Sequence, residues 1–477
     1  MGEATRLLKN AHRHFSIFIS HSSANNYEAQ CYEKVLQDGG FSVFQHGDEP
    51  RPGDPIGSVV REKISKCHFF ILVISEHSLN SPWVQRELGL ALSLQREHHN
   101  YRPIIIPLYA KEASWRRTGE RPKQFPMRDF DTGKTLGQFD LTVRGWDKYY
   151  SPIADSDENL ISFLKPNYVV SRLDFDDAAT FDDAGVFELY KELFPPTERD
   201  DEQDIARWVL TGDIGQKRSF AISEGNEISY TLDSRYFILN LAGRAIGLGF
   251  FTYDYANDLI YGNYIGVQEC WRGGDIARAF FSEIMKILEA LFPRNQGMVF
   301  EVEKFGRQRV EQIIADLEKS GADHIKDLRD LNEVRRFLRV TWYQSLNCFF
   351  FFDKAAKEPL LSRSPCIDPS APFEEWSKGE EVYWIMWYRP MNSSVSFSNA
   401  RELWTKAIKS IYIEILAKSL CESFPECAQQ YWDYANAIID KTLKDTGLRE
   451  VCFSKFLDRH SSPLLARWMA LGIDVPI

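Results

Sequence analysis

The sequence predicts three successive parts: a small doubly wound α/β domain, an α+β domain and a small helical C-terminal region. Three patterns predict this order. Short apolar runs alternate with amphipathic segments in the first 110 residues, long apolar runs joined by turns follow from about residue 236, and helical periodicity begins at Ser398. Strands that are apolar on both faces and separated by helices require a parallel sheet covered on both sides.

The elements of the first domain follow one another in a regular order. Strands are predicted at Phe15–Ser20, Phe41–Phe44, Phe69–Ser75 and Ile104–Tyr109, and helices at Tyr27–Asp38, Ile56–Lys66 and Trp83–Arg96. Residues 110–150 carry basic and Gly/Pro-rich loop signals. In such a sheet, functional residues are expected at the carboxyl ends of the strands.

The second domain is predicted to combine antiparallel hairpins with helix–strand alternation. Residues 236–255 predict two strands joined around Gly243, and the strand Leu259–Glu269 and the helix Ile276–Phe292 follow. Further strands are predicted at Val169–Phe175, Gly297–Glu303, Phe337–Gln344 and Val382–Arg389, and short helices at Val186–Phe194 and Asp204–Leu210. We expect domains at 1–150, 168–390 and 391–477, with an acidic junction at 151–210 that leads into the second.

Charge and composition exclude several classes of protein. The 477 residues include 57 Lys and Arg against 68 Asp and Glu, a formal net charge of −11 that argues against direct nucleic-acid binding. Residues 151–210 hold 15 acidic and 5 basic residues, and so most of this charge. No apolar run reaches the ~18–20 residues of a membrane span, and Met1 to His14 is too polar for a signal peptide, so we expect a cytoplasmic protein without membrane contact.

Cysteine and histidine spacing predicts no metal site. The eight cysteines form no CxxC motif, and no histidine pair with an acidic partner has metal-ligand spacing. Reduced thiols in a cytosolic protein explain this pattern best.

Three polar segments of the first domain are candidates for chemistry. Ser20, His21 and Ser22 follow the first strand, where hydroxyls and backbone N–H groups can hold a phosphate or ribose, although serine also fills caps and turns. The loop from His46 to Gly57 contains carboxylates, prolines and glycines. This composition is compatible with a lid, an assembly surface or a solvated connector.

The third segment runs from Ser81 to Leu88. Ser81 as N-cap and Pro82 in the first turn predict the start of a helix. Trp83 and Glu87, four residues apart, then lie on one face of this helix. An aromatic plate beside a carboxylate can stack a base or pyridinium ring and stabilise positive charge on a ribose. A core Trp with a surface Glu is the alternative interpretation.

Together these segments resemble a TIR (Toll/interleukin-1 receptor) domain, in particular the bacterial enzymatic kind. FISHSS, GFSVF with its Gly53-Asp54 loop, FFILVIS and SPWVQREL occur in the family's order and spacing over about residues 12–150. The resemblance implies a flavodoxin-like fold whose enzymatic members cleave NAD, their substrate, between nicotinamide and ribose. It also implies self-association, since the complete site often forms between adjacent TIR domains.

The family's site residues carry over to this chain one by one. The required glutamate of the WxxxE segment corresponds to Glu87, with Trp83 as its aromatic neighbour. The assembly loop corresponds to Asp48 through Asp54. The expected NAD-binding residues are Trp83, Ser20, His21, Ser22, Asp48 and Gly53.

The mechanism that fits this resemblance is dissociative. Nicotinamide is a cationic leaving group that needs no acid, and an ionised Glu87 near the ribose would stabilise the oxocarbenium-like sugar left behind. Attack by water gives ADP-ribose and attack by an internal nucleophile gives a cyclic product; the sequence leaves both open.

A second resemblance lies between Tyr264 and Leu288. This segment is similar to the strand, phosphate loop and helix of GNAT-type N-acetyltransferases, whose R/Q-x-x-G-x-G/A loop holds the pyrophosphate of coenzyme A. The six loop positions are occupied here by Arg272, Gly273, Gly274, Asp275, Ile276 and Ala277. Asp275 replaces a family glycine, and both its side chain and its charge oppose a pyrophosphate. We therefore expect a vestigial loop without acetyl-CoA. Glu269 and Tyr343 could serve as base and acid, but we expect each to be a strand-end or core residue.

The leading hypothesis is an NAD-cleaving effector, activated by oligomerisation in prokaryotic antiviral defence, with the GNAT-like region as its sensor or assembly module. The alternatives are a non-catalytic TIR scaffold, an active acetyl-CoA-dependent N-acetyltransferase in the C-terminal part, and a TIR partner of a short Argonaute. The intact WxxxE disfavours the scaffold, Asp275 disfavours the acetyltransferase, and the GNAT-like pattern with the acidic junction disfavours the Argonaute partner.

Overall fold

The structure is a computed structural model of the chain. It describes residues 15–45, 56–97, 102–110, 122–141, 160, 164, 167–169, 186–194, 214–223, 225–241, 244–272, 276–322, 324–364, 382–391, 399–423, 425–447, 450–454 and 462–473. The chain divides into two compact units, the first built mainly from residues up to Val169 and the second mainly from residues after it.

A four-stranded parallel sheet forms the centre of the first unit. Its strands are β1 (Ser16–Ser20), β2 (Ser42–Gln45), β3 (Phe69–Ile74) and β4 (Ile104–Tyr109). They lie in the order β2-β1-β3-β4, and every neighbouring pair is parallel. Every residue of β3 and β4 is buried, as expected for strands covered on both faces.

The helices of this unit are α1 (Asn26–Asp38), α2 (Ile56–Lys66), α3 (Glu76–Asn80) and α4 (Pro82–Glu97). The doubly wound α/β prediction is confirmed, and the predicted strands and helices begin and end within about two residues of the observed ones. The short helix α3 was not predicted. The sequence feature that indicates this helix is local: Ser75 and Ser78 form a capping box at its first turn.

Residues 124–140 form an antiparallel hairpin within the segment 110–150, where the sequence shows loop signals and no strand was predicted. Strand β5 (Gln124–Arg128) pairs with β6 (Thr135–Asp140). The turn between them has an Asp at its start and a glycine at positive φ near its end, the residues that such turns favour. The composition of this segment is typical of loops, and only the alternation on either side of the turn indicates strands.

The second unit contains a mixed sheet with helices. Its strands are β8 (Ile214–Ser223), β9 (Asn226–Leu241), β10 (Arg244–Asp254), β11 (Leu259–Val267), β12 (Gly297–Glu303), β13 (Phe349–Asp353), β14 (Glu358–Pro359), β15 (Leu361–Ser364), β16 (Val382–Arg389) and β17 (Val451–Ser454). The short strand β7 (Asn167–Val169) precedes them in the chain and belongs to the residues of the first unit. The helices are α5 (Val186–Leu193), α6 (Ile276–Leu291), α7 (Arg307–Ser320), α8 (Leu328–Ser345), α9 (Ala400–Lys409), α10 (Lys418–Ser423), α11 (Ala428–Thr446) and α12 (Ser462–Leu471), with a π-helical segment at Ser410–Ala417.

The topology of this sheet agrees with the predicted α+β order. Strands β10 and β11 are antiparallel, α6 connects β11 to β12, and β11 and β12 pair in parallel over three residues each. Strand β12 then pairs antiparallel with β16. The predicted strand at Val169–Phe175 lies mostly, and the predicted helix at Asp204–Leu210 wholly, outside the described residues.

One prediction in this unit is wrong. The strand expected at Phe337–Gln344 is part of α8, in which Val334, Phe337 and Leu338 are buried at helical spacing and the Asp327 side chain caps the first turn. Its aromatic and β-branched residues favour a strand, but the helical spacing of buried residues prevails. The C-terminal region is helical as predicted, except that it also contributes β17, which pairs antiparallel with β13.

We expect Gly89→Ala to destabilise the first unit. Gly89 lies in α4, and a Cβ atom there would lie 2.0 Å from the Arg128 carbonyl oxygen of β5, so backbone has to move. Overpacking of this kind costs about 1–3 kcal/mol, more than the roughly 1 kcal/mol gained from better helix propensity. Scanning calorimetry of the full chain measures the loss.

Gly57→Ala is the matched control. Gly57 is also a helical glycine, in α2, and a Cβ atom there meets nothing within 4 Å. This variant should therefore unfold at or slightly above the wild-type temperature. Equal unfolding temperatures for Gly89→Ala and wild type would contradict the close approach of β5 to α4.

Candidate functional site

The predicted site lies at the carboxyl ends of β1 and β3. Ser20 is the last residue of β1, and its hydroxyl donates a hydrogen bond of 2.6 Å to the Oε2 atom of Glu87 on α4. Both side chains are buried, with exposed fractions of 1% for Ser20 and 2% for Glu87. The fold thus joins two residues that are 67 positions apart in the sequence and that both belong to the predicted site.

The start of α4 sets the position of Glu87. The Ser81 hydroxyl accepts a hydrogen bond from the backbone N–H of Val84, at 3.4 Å, and Pro82 opens the helix, as the sequence predicts. Trp83 and Glu87 are then one turn apart, so the partly exposed indole and the buried carboxyl share one face of the helix.

Burial dominates the electrostatics of Glu87. Loss of solvent raises the pKa of its carboxyl from 4.5 to about 8, although hydrogen bonds from the side chains of Ser20 and Trp83 lower it in part. At pH 7 the carboxyl of this chain on its own is therefore mainly protonated. The dissociative mechanism expects an ionised Glu87, so the site needs a further positive charge or donor before it can act in that way.

A second hydrogen-bond network joins the β1 and β3 ends, and the sequence analysis identified only part of it. The hydroxyls of Ser22 and Ser75 both donate to the Oδ1 atom of Asn25, each at 2.6 Å. Ser75 also caps α3, accepting from the backbone N–H of Ser78 at 3.0 Å. Asn25 and Ser75 were missed, because only contact between the two loops gives them a role. His21 is buried next to Ser22 in the chain.

A third contact, also missed, lies over Trp83. The ring of Phe130, in the turn of the β5–β6 hairpin, has its centroid 5.7 Å from that of Trp83. Nothing in the sequence marks Phe130 as a neighbour of Trp83, because 46 residues and an unpredicted hairpin separate them. The two remaining predicted NAD-binding residues, Asp48 and Gly53, lie outside the described residues.

The predicted coenzyme A loop is described only at its ends. Arg272 precedes it and Ile276 begins α6, while residues 273–275 lie outside the described residues. Glu269 is an exposed ion-pair partner of Arg335, at 3.2 Å. Tyr343 is buried against Phe300, with ring centroids 4.6 Å apart. Both placements agree with the structural roles expected for Glu269 and Tyr343.

Residues 17–143 match the family model of the TIR domain, so this part of the chain is a TIR domain. The match includes the parallel sheet, the Ser20–Glu87 pair and the β5–β6 hairpin. Among curated proteins, none matches the sequence of the chain.

Solved structures similar to the chain include acetyltransferases. A GNAT-family acetyltransferase from Bacteroides thetaiotaomicron is 12% identical with a TM-score of 0.29, and the match covers 52% of this chain and 97% of that one. Nourseothricin acetyltransferase is 12% identical with a TM-score of 0.20, covering 37% of this chain and 84% of that one.

Two further observations concern only the described residues. None of their helices combines the length and apolar character that crossing a membrane requires. In the same part of the chain, His, Cys, Asp and Glu side chains form no group of three or more that could hold a metal ion.

We expect the stability of the TIR domain to depend on pH through Glu87. The folded-state pKa of Glu87, about 8, lies above the ordinary value of 4.5. The contribution of the neutral Glu87 carboxyl to the free energy of unfolding is therefore complete below about pH 4.5 and is lost as the pH rises through about 8. Wild type should lose at most about 1.4 kcal/mol for each pH unit in this window, and Glu87→Gln should not. Urea denaturation of the full chain at a series of pH values measures both slopes.

Glu62→Gln provides the matched control. Glu62 is an exposed glutamate of α2 whose pKa is lowered by its hydrogen bond to Lys66, so its removal leaves the Glu87 effect in place. This variant should keep the wild-type slope over the same window. Parallel stability curves for wild type and Glu87→Gln would contradict a buried, neutral Glu87.

Proposed function

We propose that the TIR domain of this protein cleaves NAD at the bond between nicotinamide and ribose, with Glu87 as the catalytic carboxylate. The observation that carries the proposal is the buried Ser20–Glu87 hydrogen bond, placed beside Trp83 at the carboxyl edge of a parallel sheet. Ligands bind at this edge in open α/β sheets. The TIR family match supports the substrate class, since enzymatic members of that family cleave NAD.

Each residue of the site has a distinct task in this reaction. Trp83 stacks on the nicotinamide ring, and the glycosidic C–N bond breaks with its electron pair going to the positively charged ring nitrogen. The Glu87 carboxylate then stabilises the positive charge that develops on the ribose. Water completes a hydrolysis to ADP-ribose, or a nucleophile of the same ADP-ribose unit completes a cyclisation. Ser20 donates to the carboxylate and keeps it oriented.

The raised pKa of Glu87 supports control by assembly. A carboxyl with a pKa of about 8 becomes ionised when a positive charge lies close to it, and the nicotinamide ring of bound NAD supplies one. A second TIR domain that completes the site adds further donors and holds NAD against Glu87. The active form in this proposal is therefore an oligomer, and the isolated chain has low activity.

The C-terminal part is proposed to act as the sensor or assembly module. Its sequence resembles a GNAT-type acetyltransferase in which Asp275 opposes coenzyme A, so the fold would be retained without acetyl transfer. An NAD-cleaving TIR domain joined to such a module fits a prokaryotic antiviral effector, in which triggered loss of NAD stops growth. A non-catalytic TIR scaffold is the second candidate, favoured by the burial of Glu87.

We expect Glu87→Gln to abolish nicotinamide release from NAD while the fold stays intact. The amide keeps the size and an acceptor oxygen for Ser20 but carries no negative charge, so a loss of at least about a hundredfold is expected. Liquid chromatography of nicotinamide over a range of protein concentrations measures the rate. A steep dependence of specific activity on wild-type concentration is expected for assembly-dependent catalysis.

Glu62→Gln again serves as the control and should release nicotinamide at the wild-type rate. Circular dichroism checks that both variants are folded. A folded Glu87→Gln protein with full turnover would exclude Glu87 as the catalytic carboxylate, and a folded wild type without turnover at any concentration would favour the scaffold.

We expect Ser20→Ala to move the pH dependence of NAD cleavage to higher pH. The Ser20 hydroxyl lowers the pKa of Glu87, so its removal raises that pKa further. A rise of one in pKa reduces the ionised fraction about tenfold at pH 7 and hardly at all well above the new pKa. The profile of kcat/KM between about pH 6 and 10 reports this pKa.

Ser65→Ala is the matched control, because Ser65 is a partly exposed residue of α2 whose hydroxyl donates to the Glu62 carbonyl. Its profile should coincide with that of wild type. An equal loss for Ser20→Ala at low and at high pH would show that Ser20 acts on the substrate rather than through the Glu87 carboxyl.

A further inference from the structure

The β5–β6 hairpin is held firmly against the helix that carries Trp83 and Glu87. The Arg128 guanidinium donates from Nε to the Gln85 side-chain oxygen of α4, at 2.7 Å. Phe125 is fully buried, and Gly89 allows the β5 backbone to approach α4 more closely than any side chain would. These contacts fix the base of the hairpin on the same helix as the proposed catalytic carboxyl.

The turn of the hairpin has a defined conformation of its own. The Asp129 side chain accepts hydrogen bonds from both the backbone N–H and the hydroxyl of Thr132, each at 2.7 Å. The backbone N–H of Gly133 donates to the Asp129 carbonyl at 2.9 Å, and Gly133 has a φ of 66°, which favours glycine. A closed turn on a fixed base determines where the Phe130 side chain points.

Phe130 lies between the proposed substrate-binding indole and a cation. Its ring contacts that of Trp83 at a centroid distance of 5.7 Å and an interplanar angle of 53°. The guanidinium carbon of Arg61, on α2, lies 5.0 Å from the centroid of the same ring, and Arg61 forms an ion pair with Asp131. Arg61 and Asp131 are exposed, so their ion pair contributes little to stability. The contact between the Phe130 and Trp83 rings is therefore stronger than this ion pair.

We propose that Phe130 is a positioning residue for NAD, which holds the Trp83 indole in the orientation that stacks on nicotinamide above Glu87. Trp83 is partly exposed in the first turn of α4, where its side chain forms a hydrogen bond with Glu87 and a neighbouring ring further limits its rotation. Phe130 supplies that neighbour from the hairpin turn. This inference rests on the proposed NAD cleavage and adds a residue to its site that lies outside the WxxxE segment.

The test compares the NAD kinetics of four full-length proteins: wild type, Phe130→Ala, Phe130→Tyr and Leu136→Ala. Loss of the aromatic contact in Phe130→Ala should raise KM for NAD by roughly threefold to tenfold, the effect of one aromatic pair, with a smaller change in kcat. Phe130→Tyr keeps the ring and should restore the wild-type KM. Leu136→Ala removes a 56%-exposed hydrophobic side chain from β6 of the same hairpin and should leave KM unchanged.

The split between KM and kcat separates positioning from a purely structural role. A structural role would lower the amount of folded protein, and so the apparent kcat, with KM unchanged and with a lower unfolding temperature. That pattern, or a wild-type KM in a folded Phe130→Ala protein, would overturn the inference while leaving NAD cleavage intact. Absence of nicotinamide release from wild type, with no NAD binding in titration calorimetry, would overturn both proposals.

Discussion

The hydrogen bond between Ser20 and Glu87 is the interaction on which the candidate site depends. It lies where the strand β1 ends and the helix α4 passes over the sheet edge, and both partners are almost completely buried. A carboxyl in such a place has a high energy when charged, because burial removes its hydration. At pH 7 the Glu87 carboxyl is therefore mainly neutral. In the proposed function, the free energy of its ionisation would come from a ligand or a neighbouring domain.

Helix α4 is the element that joins the parts of this site. One of its faces carries Trp83 and Glu87, whose carboxyl accepts from Ser20 at the end of β1, while Gln85 and Gly89 receive the β5–β6 hairpin. A shift of this helix would move the carboxyl, the indole and the hairpin together. The polar network around Asn25 has the complementary role, since it connects the loops after β1 and β3 and so fixes the sheet edge against which α4 packs.

The sequence predicted the part of the fold that depends on local pattern. The buried strands of the parallel sheet, the helix start at Ser81 and the pairing of Trp83 with Glu87 all follow from apolar runs, caps and helical spacing. Asn25 and Phe130 could not be predicted, because their roles arise from contacts between segments about 50 residues apart in the chain. The strand expected at Phe337–Gln344 is an error of another kind, in which residue type indicated a strand and the spacing of buried residues produced a helix.

The missing side chain of Gly89 also means that helix α4 and the β5–β6 hairpin cannot change independently during evolution. The missing Gly89 side chain leaves the space that the carbonyl group of Arg128 occupies, so a larger residue there is compatible only with a hairpin that is displaced or shortened. Among TIR sequences that share the WxxxE segment, residue size two positions after the glutamate should therefore vary together with the presence of this hairpin. A single position in a helix would then indicate, from sequence alone, which of these sequences carry a hairpin packed against the helix of their WxxxE segment.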